Sequence, residues 1–203
     1  LMSPHRRAAP RRQIAPSLFF VVLLTGGVSA WAHPHMWIDA SVQPEFDDTG
    51  LSGIRVEFLF DEFNSAPMII DYDVDGSGVL GWSEISSIRE TGFAHLHDIG
   101  YFMIAFLGSE AIEIPRLAGF HARIADGRLS YQFFLPIRVR WQALEDFTIA
   151  AFDSSYYVDF STTIAERRFD RGSASVLATS ERLRLATEGW GTIEVPAIRL
   201  DAL

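Results

Sequence analysis

Apolar and polar positions alternate most clearly at residues 54–60. Ile54, Val56, Phe58 and Phe60 fall on one side, with Arg55, Glu57 and Leu59 between them. A period of two is the mark of a strand with one buried face. His33 to Phe46 reads as an earlier strand, broken at Pro44, and Asp47-Asp48-Thr49-Gly50 as the turn between the two. Ser65 to Tyr72 reads as a short helix, which tolerates Pro67 only in its first turn. Trp82 to Ile99 reads as a longer helix. Its apolar residues Ile85, Ile88, Phe93, Leu96 and Ile99 have helical spacing, and Gly100 can close it.

Beyond Gly100 the alternation returns. Tyr101 to Leu107 reads as a strand, and Phe120–Ala125 and Arg128–Leu135 flank the hairpin signal Asp126-Gly127. Phe147–Phe152, Tyr156–Phe160 and a weaker tail at Ile193–Leu200 complete the set, while Leu183–Glu188 fits either type. The expected fold class is α+β: an antiparallel β-sandwich with a helix-loop-helix inserted at about 62–99.

The first 32 residues read as an address rather than as fold. Arg6, Arg7, Arg11 and Arg12 precede an apolar run from Leu18 to Leu24, followed by Ala30-Trp31-Ala32. A basic region, a short apolar region and an A-x-A site make up a secretory signal peptide. The apolar part is about 11 residues, too short to span a bilayer of about 30 Å as a helix. No later segment is apolar enough to span. The expectation is a signal peptide at 1–32 and a single periplasmic domain at 33–203, not membrane-spanning after cleavage.

Composition narrows the chemistry. The 203 residues are 48% hydrophobic and 21% charged, which is enough apolar material for a core. The absence of cysteine excludes disulfides, thiolate metal sites and cysteine nucleophiles. There is no lysine either, so Schiff-base chemistry and a P-loop lysine are excluded. The net charge is -9, and losing the four leader arginines would make it -13. Such a surface attracts cations and does not suit a phosphate backbone, so no nucleic-acid partner is expected.

Residues 73–84 run Asp-Val-Asp-Gly-Ser-Gly-Val-Leu-Gly-Trp-Ser-Glu. In a twelve-residue EF-hand loop, positions 1, 3, 5, 7 and 12 ligate calcium and position 6 is the sharp turn. Here those are Asp73, Asp75, Ser77, the Val79 carbonyl, Glu84 and Gly78. Starting at Asp71 instead would put Trp82 at position 12, which cannot ligate calcium. Three carboxylates, a neutral Ser77 and Gly81 at position 9 suggest weak affinity, about 10⁻⁴–10⁻³ M. A lone loop and only four methionines argue for a structural site rather than a calmodulin-like switch.

His33-Pro34-His35 would open the mature chain. On a strand His33, His35, Trp37 and Asp39 share a face, so two imidazoles and the Asp39 carboxylate can converge on one transition metal. Pro34 has no N–H and blocks the amide-nitrogen chelate of copper and nickel, but a copper brace on His33 stays open. His95 and His97 sit two apart on the expected helix and cannot chelate together. His121 reads as structural. Asp153 and Tyr156, in Asp153-Ser154-Ser155-Tyr156-Tyr157, could support the site, as could Asp159.

The set Ala-His-Pro-His-Met-Trp-Ile-Asp at 32–39, Phe60-Asp61-Glu62, Asp-Val-Asp-Gly-Ser-Gly at 73–78, Gly100-Tyr101-Phe102 and Asp-Ser-Ser-Tyr-Tyr at 153–157 resembles a known family. These are uncharacterised bacterial periplasmic proteins described as the periplasmic component of an ABC-type transport system, often encoded beside nickel/cobalt-type permeases. The resemblance spans roughly 32–160. It implies His33, His35 and Asp39 as the opening motif, and Asp153, Tyr156 and Tyr157 as a later one. The expected function is a non-enzymatic, periplasmic metal-binding accessory protein for transition-metal transport. It would hold Ni²⁺, Co²⁺, Zn²⁺ or Cu²⁺ beside an inner-membrane metal permease, with Ca²⁺ in the loop. The alternatives are a copper-dependent redox enzyme with a His33 brace, and a calcium-stabilised structural or adhesion module.

Overall fold

The computed structural model describes residues 34–172 and 174–203, so the leader and His33 lie outside the described residues. Two sheets carry the fold. The first has the order β5-β6-β2-β1-β9, built from β1 (Met36–Asp47), β2 (Gly50–Phe60), β5 (Ala118–Ala125), β6 (Arg128–Leu135) and β9 (Val158–Ile164). A two-residue β7 (Val139–Arg140) adds to β2. The second has the order β10-β11-β12-β8-β3-β4. Its strands are β3 (Met103–Leu107), β4 (Glu110–Ile112), β8 (Phe147–Ala151), β10 (Arg168–Arg171), β11 (Ala174–Thr187) and β12 (Gly191–Ala202). One apolar cluster joins both sheets, with Ala40, Val56, Phe58 and Phe133 from the first and Ala105, Ile149, Val176 and Ile198 from the second. The architecture is β-rich and two-layered, as the alternation of β2 implies.

Several boundaries differ from expectation, each for a physical reason. Pro44 does not break the first strand: β1 runs through it, with Pro44 opposite Ile54. On the other side β9 pairs with β1 only up to Val42, so Pro44 sits where β1 is an edge and its missing N–H costs no ladder bond there. The β1–β9 pair is parallel, a departure from the all-antiparallel expectation. Of residues 183–188, 183–187 resolve as strand, within β11, and Glu188 begins the following turn. The Asp126-Gly127 hairpin is as expected. Both residues have positive φ, 51° and 76°, the backbone that a two-residue type I′ turn needs.

The helical insertion lies between β2 and β3. Helix α1 (Glu62–Tyr72) starts three residues earlier than expected, because Asp61 is its N-cap and accepts from the Asn64 N–H at 2.9 Å. Pro67 is therefore in the interior of α1, not its first turn. It removes the bond to the Phe63 carbonyl, on an exposed residue where water can replace it. Pro67→Ala restores that bond. A net gain of about 1–2 kcal/mol is expected in urea unfolding, after the unfolded-state entropy lost with proline is deducted; a destabilised variant would contradict this account of α1.

The longer helix expected at 82–99 changes form twice. It begins as α2 (Trp82–Ser87), widens into a π turn over Ile88–Phe93, and tightens into a 3₁₀ segment from Ala94. Ile88 and Phe93 are five apart and both fully buried. In an α-helix they would diverge, and the wide turn brings them to one face. Ile99, expected to be buried, is exposed because the segment kinks there. Gly100, Tyr101 and Phe102 then all take positive φ, 63°, 57° and 59°. Left-handed backbone is costly for aromatics. It is held by Tyr101, buried and stacked on Phe93 at 5.5 Å.

Candidate metal centre and the strand-entry cluster

The loop from Asp73 to Glu84 joins α1 to α2. Asp73 ends α1, its N–H donating to Ile69 O at 2.8 Å. The Asp73 carboxylate then turns inward and accepts from Ser77 N at 3.0 Å and Gly78 N at 2.9 Å. Asp75 Oδ1 also accepts from Ser77 N, at 2.9 Å. Ser77 Oγ donates to the Val79 carbonyl at 2.9 Å, so the side chain of position 5 and the carbonyl of position 7 are adjacent. Gly78 carries φ +75°, the turn demanded of position 6. Leu80 is buried and anchors the loop to the core.

Glu84 closes the loop. It is buried, and its two oxygens accept from Val74 N at 2.8 Å and Gly81 N at 2.7 Å. It thereby ties the first residues of the loop to the last. Oxygens of Asp73, Asp75 and Glu84 lie within 4.8 Å of one another, the one such acidic or imidazole group among the described residues. Hydrogen bonds from Ser77 hold Asp75 below the usual carboxylate range. All donors are oxygens, the set that hard cations such as calcium take.

The other motif segments meet at the entry to β1. His35 N and Met36 N both donate to Tyr157 O, at 2.9 and 3.3 Å. The His35 carbonyl accepts from Asn64 Nδ2 at 3.2 Å, and its ring lies 5.0 Å from that of Tyr157. Asp61 Oδ2 accepts from Trp37 N at 3.1 Å and from Asn64 Nδ2 at 2.7 Å. Burial pushes Asp61 up, but these bonds outweigh it and hold its carboxyl below the usual range. The backbone of His35 is thus clamped from two sides while its imidazole faces solvent.

Asp39 is engaged elsewhere. Its Oδ2 meets Arg128 Nη2 at 2.9 Å and its Oδ1 accepts from Ser161 at 2.9 Å. Arg128, then Ser161, keeps the carboxyl below its usual range against the opposing effect of burial. His35 sits just before β1, so the four-residue step to Asp39 runs along the strand at about 3.3 Å per residue. The carboxylate expected as a ligand therefore lies well away from the imidazole, in a salt bridge.

Asp153 is buried and serves as a knot. It accepts from Ser155 N, Tyr157 N and Val158 N at 3.0 Å each, and from Ser155 Oγ at 2.8 Å. Tyr156 takes φ +57° within this turn. His97 Nδ1 lies 3.4 Å from Asp98 Oδ1. His121 is exposed on β5. Asn64 belongs to none of the motifs above, and Asp61 stands in one with no role attached to it. An Asp just before a helical stretch is an N-cap signal that marks Asp61.

No solved structure matches this chain. One curated relative is the "Uncharacterized 15.5 kDa protein in trpE 3'region" of Spirochaeta aurantia, 31% identical over 113 residues, 54% of this chain and 81% of that protein. None of the described helices is long and apolar enough to cross a membrane. Residues 18–176, which hold the acidic loop, the strand-entry cluster and the Asp153 knot, match one family over most of the chain, and the protein belongs to it: the family described as protein of unknown function, DUF1007.

Proposed function

We propose that this chain is a periplasmic metal-binding accessory protein for transition-metal transport, with one structural calcium site in loop 73–84. The carrying observation is the convergence of Asp73, Asp75 and Glu84 oxygens on a loop between two helices, beside the Val79 carbonyl. These are the oxygen donors, at the spacing, that a calcium loop uses. Calcium there offsets two of the three carboxylate charges and clasps the end of α1 to the start of α2.

The transition-metal site is assigned to the mature N-terminus, with His35 as a ligand and His33, outside the described residues, as its companion. The support is the exposed imidazole on a clamped backbone and the net charge of -9. Asp39 is left out, because ligation would break its ion pair with Arg128. Export rests on the basic and apolar leader sequence, and the permease partner on the resemblance noted above.

The test is calorimetric titration of metal-free protein with Ca²⁺, Ni²⁺, Zn²⁺ and Cu²⁺, using wild type, His35→Ala and Glu84→Gln. Two independent sites are expected: His35→Ala loses the transition metal and keeps calcium, and Glu84→Gln does the reverse. Calcium binding alone, through Glu84, would reduce the protein to a calcium-stabilised structural module.

A further inference from the structure

The inner face of the second sheet changes character where it leaves the sandwich. Val176, Ala178, Ile198 and Leu200 on β11 and β12 are buried. Side chains two apart share a face. Continuing along those faces gives Arg182 and Arg184 on β11, with Pro196 and Glu194 opposite them on β12. Arg182, Glu194 and Pro196 line a cleft past the end of the core, beside strand β9 at the edge of the first sheet. The cleft measures about 380 Å³ and is lined also by Trp37, Tyr156, Asp159 and Ser161.

The charges in this cleft are unspent. Neither Arg182, Asp159 nor Glu194 makes an ion pair with any described residue. Burial pushes the Asp159 carboxyl up. Asp39, at the same cleft, is already matched by Arg128. One guanidinium and two carboxylates thus await partners. Two aromatic rings form walls: Trp37 is 52% exposed, and Tyr156 is placed by its left-handed backbone. A strained residue lining a cleft points to a site, and the volume falls within the usual range for small ligands, about 300–1,000 Å³.

We propose that the cleft binds an amino-acid-sized ligand bearing one carboxylate and cationic nitrogen, the carboxylate on Arg182 and the nitrogen between Asp159 and Glu194. A guanidinium recognises carboxylate in a planar fork. The two carboxylates lining the cleft repel a dianion such as phosphate and attract an ammonium, which also sits favourably against aromatic faces. The match is best for a ligand with two cationic groups and one anionic, as in a basic amino acid. The cleft shares no residue with loop 73–84 or His35, so it stands or falls apart from the proposed metal sites.

Titrating the full chain by NMR with L-lysine, cadaverine and glutarate, each up to about 10 mM, tests this. L-lysine is expected to saturate shifts at the Trp37 indole. Cadaverine lacks the carboxylate and glutarate the nitrogen, so each should bind at least about tenfold more weakly. Arg182→Gln should weaken lysine about tenfold or more and leave cadaverine unchanged, while Asp159→Asn weakens both amines. No response to lysine in wild type, equal response to all three probes, or an Arg182→Gln protein that binds lysine as wild type does would each overturn the proposal.

Discussion

Saturating calcium is expected to raise the melting temperature of the wild-type protein by about 5–10 °C. A ligand at 100 times its Kd contributes about 2.7 kcal/mol, and each kcal/mol moves a domain of this size by about 2–4 °C. With a Kd near 10⁻⁴ M, about 10 mM calcium suffices. Glu84→Gln should abolish the shift. Its amide keeps one oxygen for a loop N–H, so the loop persists, but the bidentate charge is gone. Glu84→Ala should also cost about 1–2 kcal/mol without any metal, because Val74 N and Gly81 N both lose their acceptor. Magnesium, smaller and strict about octahedral geometry, should shift the melt much less. A full calcium shift in Glu84→Gln would place the ion elsewhere, and no shift in wild type would end the calcium reading.

What could be read from the chain was what is local in it. The alternation of Ile54, Val56, Phe58 and Phe60 and the Asp126-Gly127 turn each involve neighbours, and both elements are present. The acidic group is equally local: Asp73, Asp75 and Glu84, whose oxygens come together, fall within twelve residues. What failed was tertiary. Pro44 is harmless only because β9 stops pairing at Val42, a fact set more than a hundred residues away. Arg182 and Arg184 interrupt Leu183 and Leu185 on what proves to be a strand reaching beyond the core, so its period could be read either way. Ile88 and Phe93 share a face only through a π turn, which α-helical periodicity does not anticipate. The same limit applies to the strand-entry cluster. His35, Asp61 and Tyr157 were each singled out or quoted in motifs, yet nothing local ties the first to the other two. Nor does anything local reveal that Arg128 captures Asp39.

Asp153→Ala is expected to destabilise the protein by about 3–4 kcal/mol, read from urea unfolding of the metal-free protein. Three backbone N–H groups lose their acceptor, and each buried donor left unpaired costs about 1–3 kcal/mol. Val158 is buried, so water cannot replace the lost bond there; Ser155 and Tyr157 are exposed, which sets the lower end of the range. Asp153→Asn should cost less, since one oxygen still accepts while the new NH₂ faces donors. The loss reaches further than the turn. Tyr157 O holds both His35 N and Met36 N, so loosening the knot frees the strand entry and should weaken transition-metal binding at His35 as a consequence of lost order. A direct ligand role predicts the opposite division: metal affinity falls while the metal-free protein unfolds at the wild-type midpoint. The saturation of the Asp153 carboxylate by hydrogen bonds within its own turn favours the structural role, and the metal-free urea midpoint of Asp153→Ala decides between the two.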